Sequence, residues 1–264
     1  MKSVLVTGAY GGMGRATVKA LTALGFRVFA LDKKVETAEE NIIPIETDVT
    51  DPESVRAALG AVKEHTNRLY AVVHFAGIYM LDSLVEMDEK DFSKILAVNL
   101  YGAFLVNKTF LPLLGQGSRI LMVTSELAPL DPLPFTGIYA VTKSAMDKYA
   151  YSLRMELQLL GISVSVLRAG AVETNMLGVS TGDLDRFCKN TALYSCNAKR
   201  FRSIVNAVEA RCIPPEKLAK KAVKILQSRR PAFAYSINRN PLLLLLNLLP
   251  KAVQLWVIRM VLKN

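Results

Sequence analysis

Short apolar runs alternate with stretches in which apolar residues recur every three or four positions, and this rhythm persists to about residue 237. Residues 4–6, 26–31, 44–47, 69–75, 119–124, 162–167 and 232–237 have strand length. Several of them lack a polar face, as strands of a parallel sheet covered on both sides do. Helical periodicity occupies residues 16–21, 52–65, 88–98, 101–114, 139–160 and 214–227. Asp51 and Asp88 stand at N-cap positions, Pro52 at the first helical position and Gly161 at a C-cap. Strands alternating with helices predict an α/β fold: a doubly wound parallel sheet with helices on both faces. No Pro/Gly/Ser-rich linker interrupts residues 1–240, so one domain is expected there.

Two segments break the rhythm. Residues 175–212 are polar, mixed and helical only in patches, with a short helix expected to open at Thr181-Gly182-Asp183 and with Phe187, Leu193, Tyr194 and Phe201 available for a pocket or for packing. Residues 241–264 hold apolar runs broken by Asn247, Pro250 and Lys251, each too short for the ~20 residues that span a bilayer. In the second run Lys251, Gln254, Arg259 and Lys263 are expected opposite Val253, Trp256, Val257 and Met260. That is the pattern of an interfacial helix, or of a helix packed on its own domain or on a partner subunit.

Hydrophobic residues make up 51% and charged residues 21%, which excludes a disordered chain. The net charge of +10 comes without a nucleic-acid motif and with Lys/Arg spread over helices. It therefore predicts solvated surface with a local membrane-facing component, and no nucleic-acid partner. Cys188, Cys196 and Cys212 lack metal-ligand spacing, so reduced thiols and no metal are expected. The chain enters a strand pattern at once, which predicts a cytoplasmic protein, peripheral at most to the inner face of a membrane.

The first strand runs directly into Thr7-Gly8-Ala9-Tyr10-Gly11-Gly12-Met13-Gly14 and then a helix. Strand, glycine turn and helix in that order form the context of a dinucleotide fingerprint, in which glycines let the backbone approach a pyrophosphate at a helix N-terminus. Asp32, at the end of the next strand, is placed for the adenosine ribose hydroxyls and would repel a 2′-phosphate. Gly11 stands where a phosphate-binding Arg or Lys would be. NAD(H) is thus favoured over NADP(H), although Lys33 and Lys34 partly neutralise Asp32.

Ser125 lies at the C-terminal end of a buried strand, where open α/β sheets bind ligands. A loop with three prolines follows, then Tyr139-Ala140-Val141-Thr142-Lys143, whose spacing puts phenol and ammonium one helical turn apart. A fixed positive charge eases ionisation of the phenol, and bringing tyrosine from about 10 to about 7 takes roughly 4 kcal/mol, which Lys143 together with a nearby cationic cofactor ring is expected to supply. A tyrosine tuned in this way is suited to moving a proton on or off an alcohol oxygen. Asn99 falls where two helical segments meet. It is either hydrogen-bonded to backbone at a helix irregularity or holding a water.

Taken in order, Thr7, Gly8, Gly12 and Gly14, then Asp32, the Asp48-Val49 pair, Ala76-Gly77, Asn99, Ser125 and Tyr139 with Lys143 give a chain that resembles the short-chain dehydrogenase/reductase family over residues 2–236, and within it hydroxysteroid and retinol dehydrogenases. The resemblance implies a single-domain Rossmann fold and a homodimer or homotetramer. It implies Tyr139 as acid/base, Ser125 on the substrate oxygen, Lys143 on the nicotinamide ribose and lowering the tyrosine pKa, and Asn99 anchoring a water in a proton relay. The implied cofactor contacts are Thr7, Gly8, Gly12, Met13, Gly14, Asp32, Asp48 and Val49 (the last two against the adenine), Ala76, Gly77, Tyr139, Lys143 and Thr174. Three features depart from the family pattern. His74-Phe75 replaces Asn-Asn, Ala169-Gly170 replaces Pro-Gly, and the Ser125–Tyr139 interval is longer than usual, making Thr124 a rival to Ser125.

These features together predict an NAD(H)-preferring oxidoreductase that interconverts a secondary alcohol and a ketone on a lipophilic, steroid-like or other hydrophobic substrate. Residues 175–212 would form its substrate lid, and 241–264 a helical extension in possible peripheral contact with a membrane. The alternatives are a non-catalytic dinucleotide-binding regulator and a membrane-surface interaction protein on the same fold.

Overall fold

The computed structural model describes residues 1–209 and 211–263, and the side chains of all of these except 175–181, 196, 199 and 206–209. Its centre is a seven-stranded sheet: β1 (Ser3–Thr7), β2 (Arg27–Asp32), β3 (Ile42–Glu46), β4 (Ala71–His74), β5 (Arg119–Ser125), β6 (Ser163–Ala169) and β7 (Ala234–Ile237). The spatial order is β3-β2-β1-β4-β5-β6-β7 and every pairing is parallel. Pro44, which cannot donate to a ladder, is tolerated because β3 is an edge strand. The order reverses between β1 and β4, and the carboxyl ends there open into the crevice that holds ligands in such folds.

Apolar strands dictate two cores, one on each sheet face. On one face α1 (Gly12–Thr22) and α8 (Pro215–Gln227) bury Val18, Leu21, Leu218 and Ala222 against Val4, Val6, Val28 and Val73. On the other, α2 (Pro52–Lys63), α4 (Gly102–Phe110) and α5 (Gly137–Leu157) bury Val55, Phe110 and Met146 against Leu5, Phe29, Val72 and Met122. The expected caps are in place. Asp51 accepts from Glu53 N at 3.0 Å, Asp88 accepts from Lys90 N at 2.8 Å, and Gly161 ends the α5 segment at φ 71°.

The two helical segments on either side of Asn99 are continuous. The helix α3 (Glu89–Leu96) joins α4 through a wide π-helical turn, Ala97–Tyr101, with Asn99 buried inside it. Residues 89–113 are thereby long and apolar enough to cross a membrane by length and composition, yet α4 packs its inner side into the sheet core.

His74 is a cross-link in the core. Its Nε2 donates to Asn107 Oδ1 at 2.8 Å, and Asn107 Nδ2 donates to the Tyr149 hydroxyl at 3.3 Å, so β4 is tied to α4 and α5. The ring is 2% exposed, and burial lowers its pKa to about 4.

Two expectations are corrected. The 175–212 segment is mostly helical, as α6 (Asn175–Asn190) and α7 (Ser195–Glu209), so Thr181-Gly182-Asp183 lies inside a helix and does not open one. Apolar packing overrides its polar composition: Phe187, Phe201, Leu184 and Leu81 bury around Phe135, with Tyr194 edge-on, while Leu193 faces solvent. Cys188 and Cys212 are free thiols, and the side chain of Cys196 lies outside the described residues.

The tail forms α9 (Pro241–Leu248) and α10 (Lys251–Leu262). Here the expected faces are changed. Gln254 is 5% exposed and donates to Leu249 O at 2.8 Å, so it belongs to the inner face, while Trp256 is 62% and Met260 55% exposed. Closing the turn between the helices takes the polar side chain inward.

A histidine kept neutral in the core binds fewer protons folded than unfolded. Its contribution is full above its unfolded pKa of about 6.5 and is lost as pH falls through about 4. Urea denaturation should show the wild type losing about 3 kcal/mol more than His74→Asn between pH 7 and pH 4. Parallel pH curves for the two proteins would contradict the buried neutral histidine.

Candidate active site

Two cavities meet at the carboxyl ends of the strands. The first is a cleft of about 790 Å³ running over β1, β2 and β4. Gly8, Gly12, Met13, Gly14, Asp32, Val49, Ala76, Gly77 and Thr174 line it. The glycine turn is shaped by its own packing. A Cβ on Gly14 would lie 2.0 Å from Gly8 O, and one on Gly8, at φ +63°, 2.5 Å from Ala76 N. The N-terminus of α1 therefore opens into the cleft with no acidic residue in its first turn. Asp32 closes the far end, its Oδ2 accepting from Tyr10 N at 3.0 Å and its Oδ1 from Lys33 N at 2.8 Å. An elongated cleft with a helix N-terminus midway and a fixed carboxylate at one end fits a nicotinamide dinucleotide.

Not every expected contact reaches the cleft. Thr7 is fully buried behind it, its hydroxyl accepting from Ala76 N at 3.4 Å. Asp48 lies outside the lining, with its carboxylate bound to Thr50 N at 2.9 Å, Thr50 Oγ1 at 2.7 Å and Lys33 Nζ at 2.7 Å. These bonds outweigh burial and hold that carboxyl below its ordinary pKa.

The second cavity, about 230 Å³, adjoins the first at Met13, Gly77, Tyr79 and Thr174. Ser125, Tyr139 and Lys143 line it, together with Leu127, Leu133, Val172, Phe201 and Leu243. The Ser125 hydroxyl, which accepts from Leu127 N at 3.2 Å, shares the cavity wall with the Tyr139 phenol, and Tyr79 packs on the Tyr139 ring at 4.8 Å between centroids. Lys143 Nζ lies 5.6 Å from the same ring and donates to Val123 O at 3.3 Å. Thr124 lines the cavity too, but its hydroxyl donates to Asp147 Oδ1 at 3.2 Å, so its proton is committed to that carboxylate.

Asn99 turns its side chain onto backbone. Its Oδ1 accepts from Ile78 N at 2.8 Å, and its Nδ2 donates to Ile78 O at 3.0 Å and to Thr142 Oγ1 at 3.0 Å. Both amide protons are thus used. A Cβ on Gly77 would stand 3.3 Å from Asn99 Oδ1 and 3.5 Å from Lys143 Nζ, so the two side chains flank that glycine.

The expected lowering of Tyr139 draws on Lys143 and a cationic cofactor ring together, and the groups of the protein alone act in the opposite direction. Burial raises Tyr139 to about 12, opposed only by the Ser125 hydrogen bond, and burial lowers Lys143 to about 8. Desolvation disfavours both charged forms and outweighs their attraction. The protein groups by themselves hold the phenol protonated, so lowering it requires positive charge beyond Lys143.

Three contributors were not legible in the sequence. Asp147, two turns beyond Tyr139 on α5, receives Arg168 Nε at 3.1 Å and Nη2 at 2.6 Å as well as Thr124, pinning α5 to β5 and β6. Its i+4 spacing from Lys143 was the available signal. Leu243 reaches the cavity wall from the tail. Glu126 is buried beside Ser125, where burial raises its pKa against the Asn240 N–H and Arg239.

A family model described as short chain dehydrogenase matches residues 2–184. The chain belongs to the short chain dehydrogenase family, whose members bind a nicotinamide dinucleotide. It is 37% identical over 191 residues to estradiol 17-beta-dehydrogenase 2 of Mus musculus, covering 67% of this chain and 50% of that protein. Over 191 residues it is 32% identical to the 17-beta-hydroxysteroid dehydrogenase type 2 of Homo sapiens, covering 68% and 49%. The chain spans about half the length of these curated relatives. It is 28% identical over 244 residues to the oxidoreductase YbbO of Escherichia coli, covering 90% and 86%. A short chain dehydrogenase family protein from Francisella tularensis superposes with a TM-score of 0.75 at 21% identity, covering 90% of this chain and 97% of that one. The 3-ketoacyl-(acyl-carrier-protein) reductase of Brucella melitensis, solved with NADH, does so at 0.73 and 20%, covering 89% and 96%.

Proposed function

We propose that this chain is an NAD(H)-preferring oxidoreductase interconverting a secondary alcohol and a ketone on a lipophilic substrate. The observation that carries the assignment is the convergence of Ser125, Tyr139 and Lys143 on the wall of an apolar cavity that adjoins the glycine-lined cleft. Tyr139 would exchange a proton with the substrate oxygen, which Ser125 holds by a second hydrogen bond. Lys143, buried one turn away, would bind the ribose of the bound dinucleotide and favour the phenolate. The dinucleotide supplies the hydride acceptor or donor. Asn99 holds Ile78 and Thr142 so that the wall behind Lys143 keeps its shape.

Support for NAD(H) comes from Asp32, whose carboxylate is fixed at the ribose end of the cleft. Lys33, which would favour a 2′-phosphate, is drawn into an ion pair with Asp48 at 2.7 Å. Support for a lipophilic substrate comes from Leu127, Leu133, Val172, Phe201 and Leu243 around the cavity, and from the hydroxysteroid dehydrogenases among the relatives. Exposed apolar side chains on α4 and α5, namely Phe104, Tyr151 and Met155, favour a homodimer or homotetramer.

The tail favours an additional role at a membrane surface. Leu242, Leu245, Leu248, Leu255 and Trp256 are each at least 60% exposed. Basic Lys251, Arg259 and Lys263 accompany them, as in helices that lie on anionic bilayers. The protein would then be cytoplasmic and peripheral to the inner face of a membrane.

Tyr139→Phe should lower kcat for NAD-linked oxidation of hydrophobic secondary alcohols by about 10²- to 10⁴-fold, with NADH affinity by fluorescence titration unchanged. Equal turnover in the two proteins would refute the assignment, and NADH binding without turnover in either would favour a non-catalytic regulator. In flotation with anionic vesicles, wild type should co-float and the double substitution Leu245→Glu, Trp256→Glu should not. Co-flotation of both proteins would rule out the tail as the membrane contact.

A further inference from the structure

Glu126 follows Ser125 at the end of β5 and is the acidic side chain of the substrate cavity among the described residues. It is 7% exposed. Its backbone prolongs the sheet, Glu126 N donating to Ala169 O at 2.9 Å, so the side chain is fixed on the same rim as Ser125. One carboxylate oxygen is engaged: Oε2 accepts from Asn240 N at 2.6 Å, at the start of α9. The other, Oε1, lies against Gly170, where a Cβ would stand 3.1 Å away. Gly170 admits no side chain, because that Cβ would also lie 1.9 Å from Asn238 O.

The Asn240 N–H occupies Oε2, and Oε1 lies beside Gly170 on the cavity lining without being one of the fully buried polar atoms that lack a partner among the described residues. The remaining wall near it is apolar: Leu127, Val172, Phe201, Val205 and Leu243. An acceptor on the wall of a largely apolar cavity is stabilised when a ligand donor meets it. Holding α9 does not require a carboxylate, since the oxygen of a neutral amide would accept from Asn240 equally well. What the carboxylate adds is a second, stronger acceptor turned to the cavity. Its charge is already offset by the Asn240 N–H and by Arg239, so a neutral donor suits it better than a cation.

We infer that Glu126 is a specificity-determining residue that accepts a hydrogen bond from a second hydroxyl on the substrate, close to the carbon handled by Ser125 and Tyr139. The preferred substrates are then lipophilic diols and the corresponding hydroxyketones, ahead of simple secondary alcohols. This deepens the oxidoreductase assignment and rests on it for the orientation of the substrate. A cavity that positions a hydroxyl acceptor discriminates against ligands lacking the hydroxyl, because the buried acceptor is then left unpaired.

The test compares a long-chain secondary alkanol with matched diols whose second hydroxyl is one, two or three carbons away. Affinity is read by calorimetry on the NADH-loaded protein, and turnover separately by NADH formation from NAD. Wild type should bind one of the diols at least about tenfold more tightly than the alkanol. In Glu126→Gln, which keeps an acceptor for Asn240 but presents an NH₂ to the cavity, that ratio should fall to within about threefold. A wild type that binds alkanol and all three diols alike overturns the inference, whether or not the variant folds. So does a variant that keeps the wild-type ratio, which would leave Glu126 as a latch for the tail. A diol preference without NADH formation would contradict the oxidoreductase assignment while leaving the Glu126 pairing intact.

Discussion

Everything at this site depends on the burial of a polar stripe along one helix. Tyr139, Lys143 and Asp147 follow one another at four-residue intervals on α5, and the helix packs against the carboxyl half of β5 and β6. Taking an ammonium and a carboxylate out of water is costly unless each finds a partner. Asp147 finds Arg168 and Thr124, while Lys143, among the described residues, donates to the Val123 carbonyl. The lower end of the stripe is therefore saturated and rigid, and the upper end is left wanting charge and hydrogen bonds. That imbalance raises the phenol to about 12 and lowers the lysine to about 8, and it makes the site responsive to whatever charge arrives in the neighbouring cleft.

The substrate side is built by segments far apart in sequence. The loop after Ser125 is held to α5 by Ser144 Oγ on Ala128 O at 2.9 Å, and to the tail by Asp131 N on Asn247 Oδ1 at 2.7 Å and the Lys251–Asp131 ion pair. The tail in turn reaches α7, where Asn197 Nδ2 donates to Leu262 O at 2.6 Å. Loop, tail and α7 thus form a connected rim around the cavity. A displacement of α9 would move Leu243 on the cavity wall and the Asn240 N–H that holds Glu126.

The sheet was legible in the sequence because its strands are short, apolar and bounded by glycine or polar turns. The residues around the dinucleotide cleft were legible because their spacing follows the strand–turn–helix unit. Asn99 was ambiguous between a backbone contact and a water anchor, and its side chain takes the backbone contact, since a π-turn brings Ile78 within reach. Helical spacing shows the proximity of Tyr139 and Lys143 but not the desolvation that raises the phenol in the protein alone. The lid and tail faces were misread because polar composition signals solvent only where no turn needs a buried donor, and Gln254 is such a donor. Glu126 was invisible for a similar reason: adjacency to Ser125 does not reveal that Asn240, more than a hundred residues on, would bury it.

The central claim is that a protonated, half-buried tyrosine on the cavity wall becomes an acid/base only when positive charge joins Lys143 beside it. The direct measurement is the ionisation of Tyr139 itself, followed by NMR of ring-labelled tyrosine across a pH series, with and without NAD⁺, in wild type and Lys143→Met. The phenol should titrate above its ordinary value of about 10 in the protein alone, fall by several units with NAD⁺, and lose most of that fall in the variant. A Tyr139 resonance whose titration ignores NAD⁺, or falls equally without the lysine, would contradict the account.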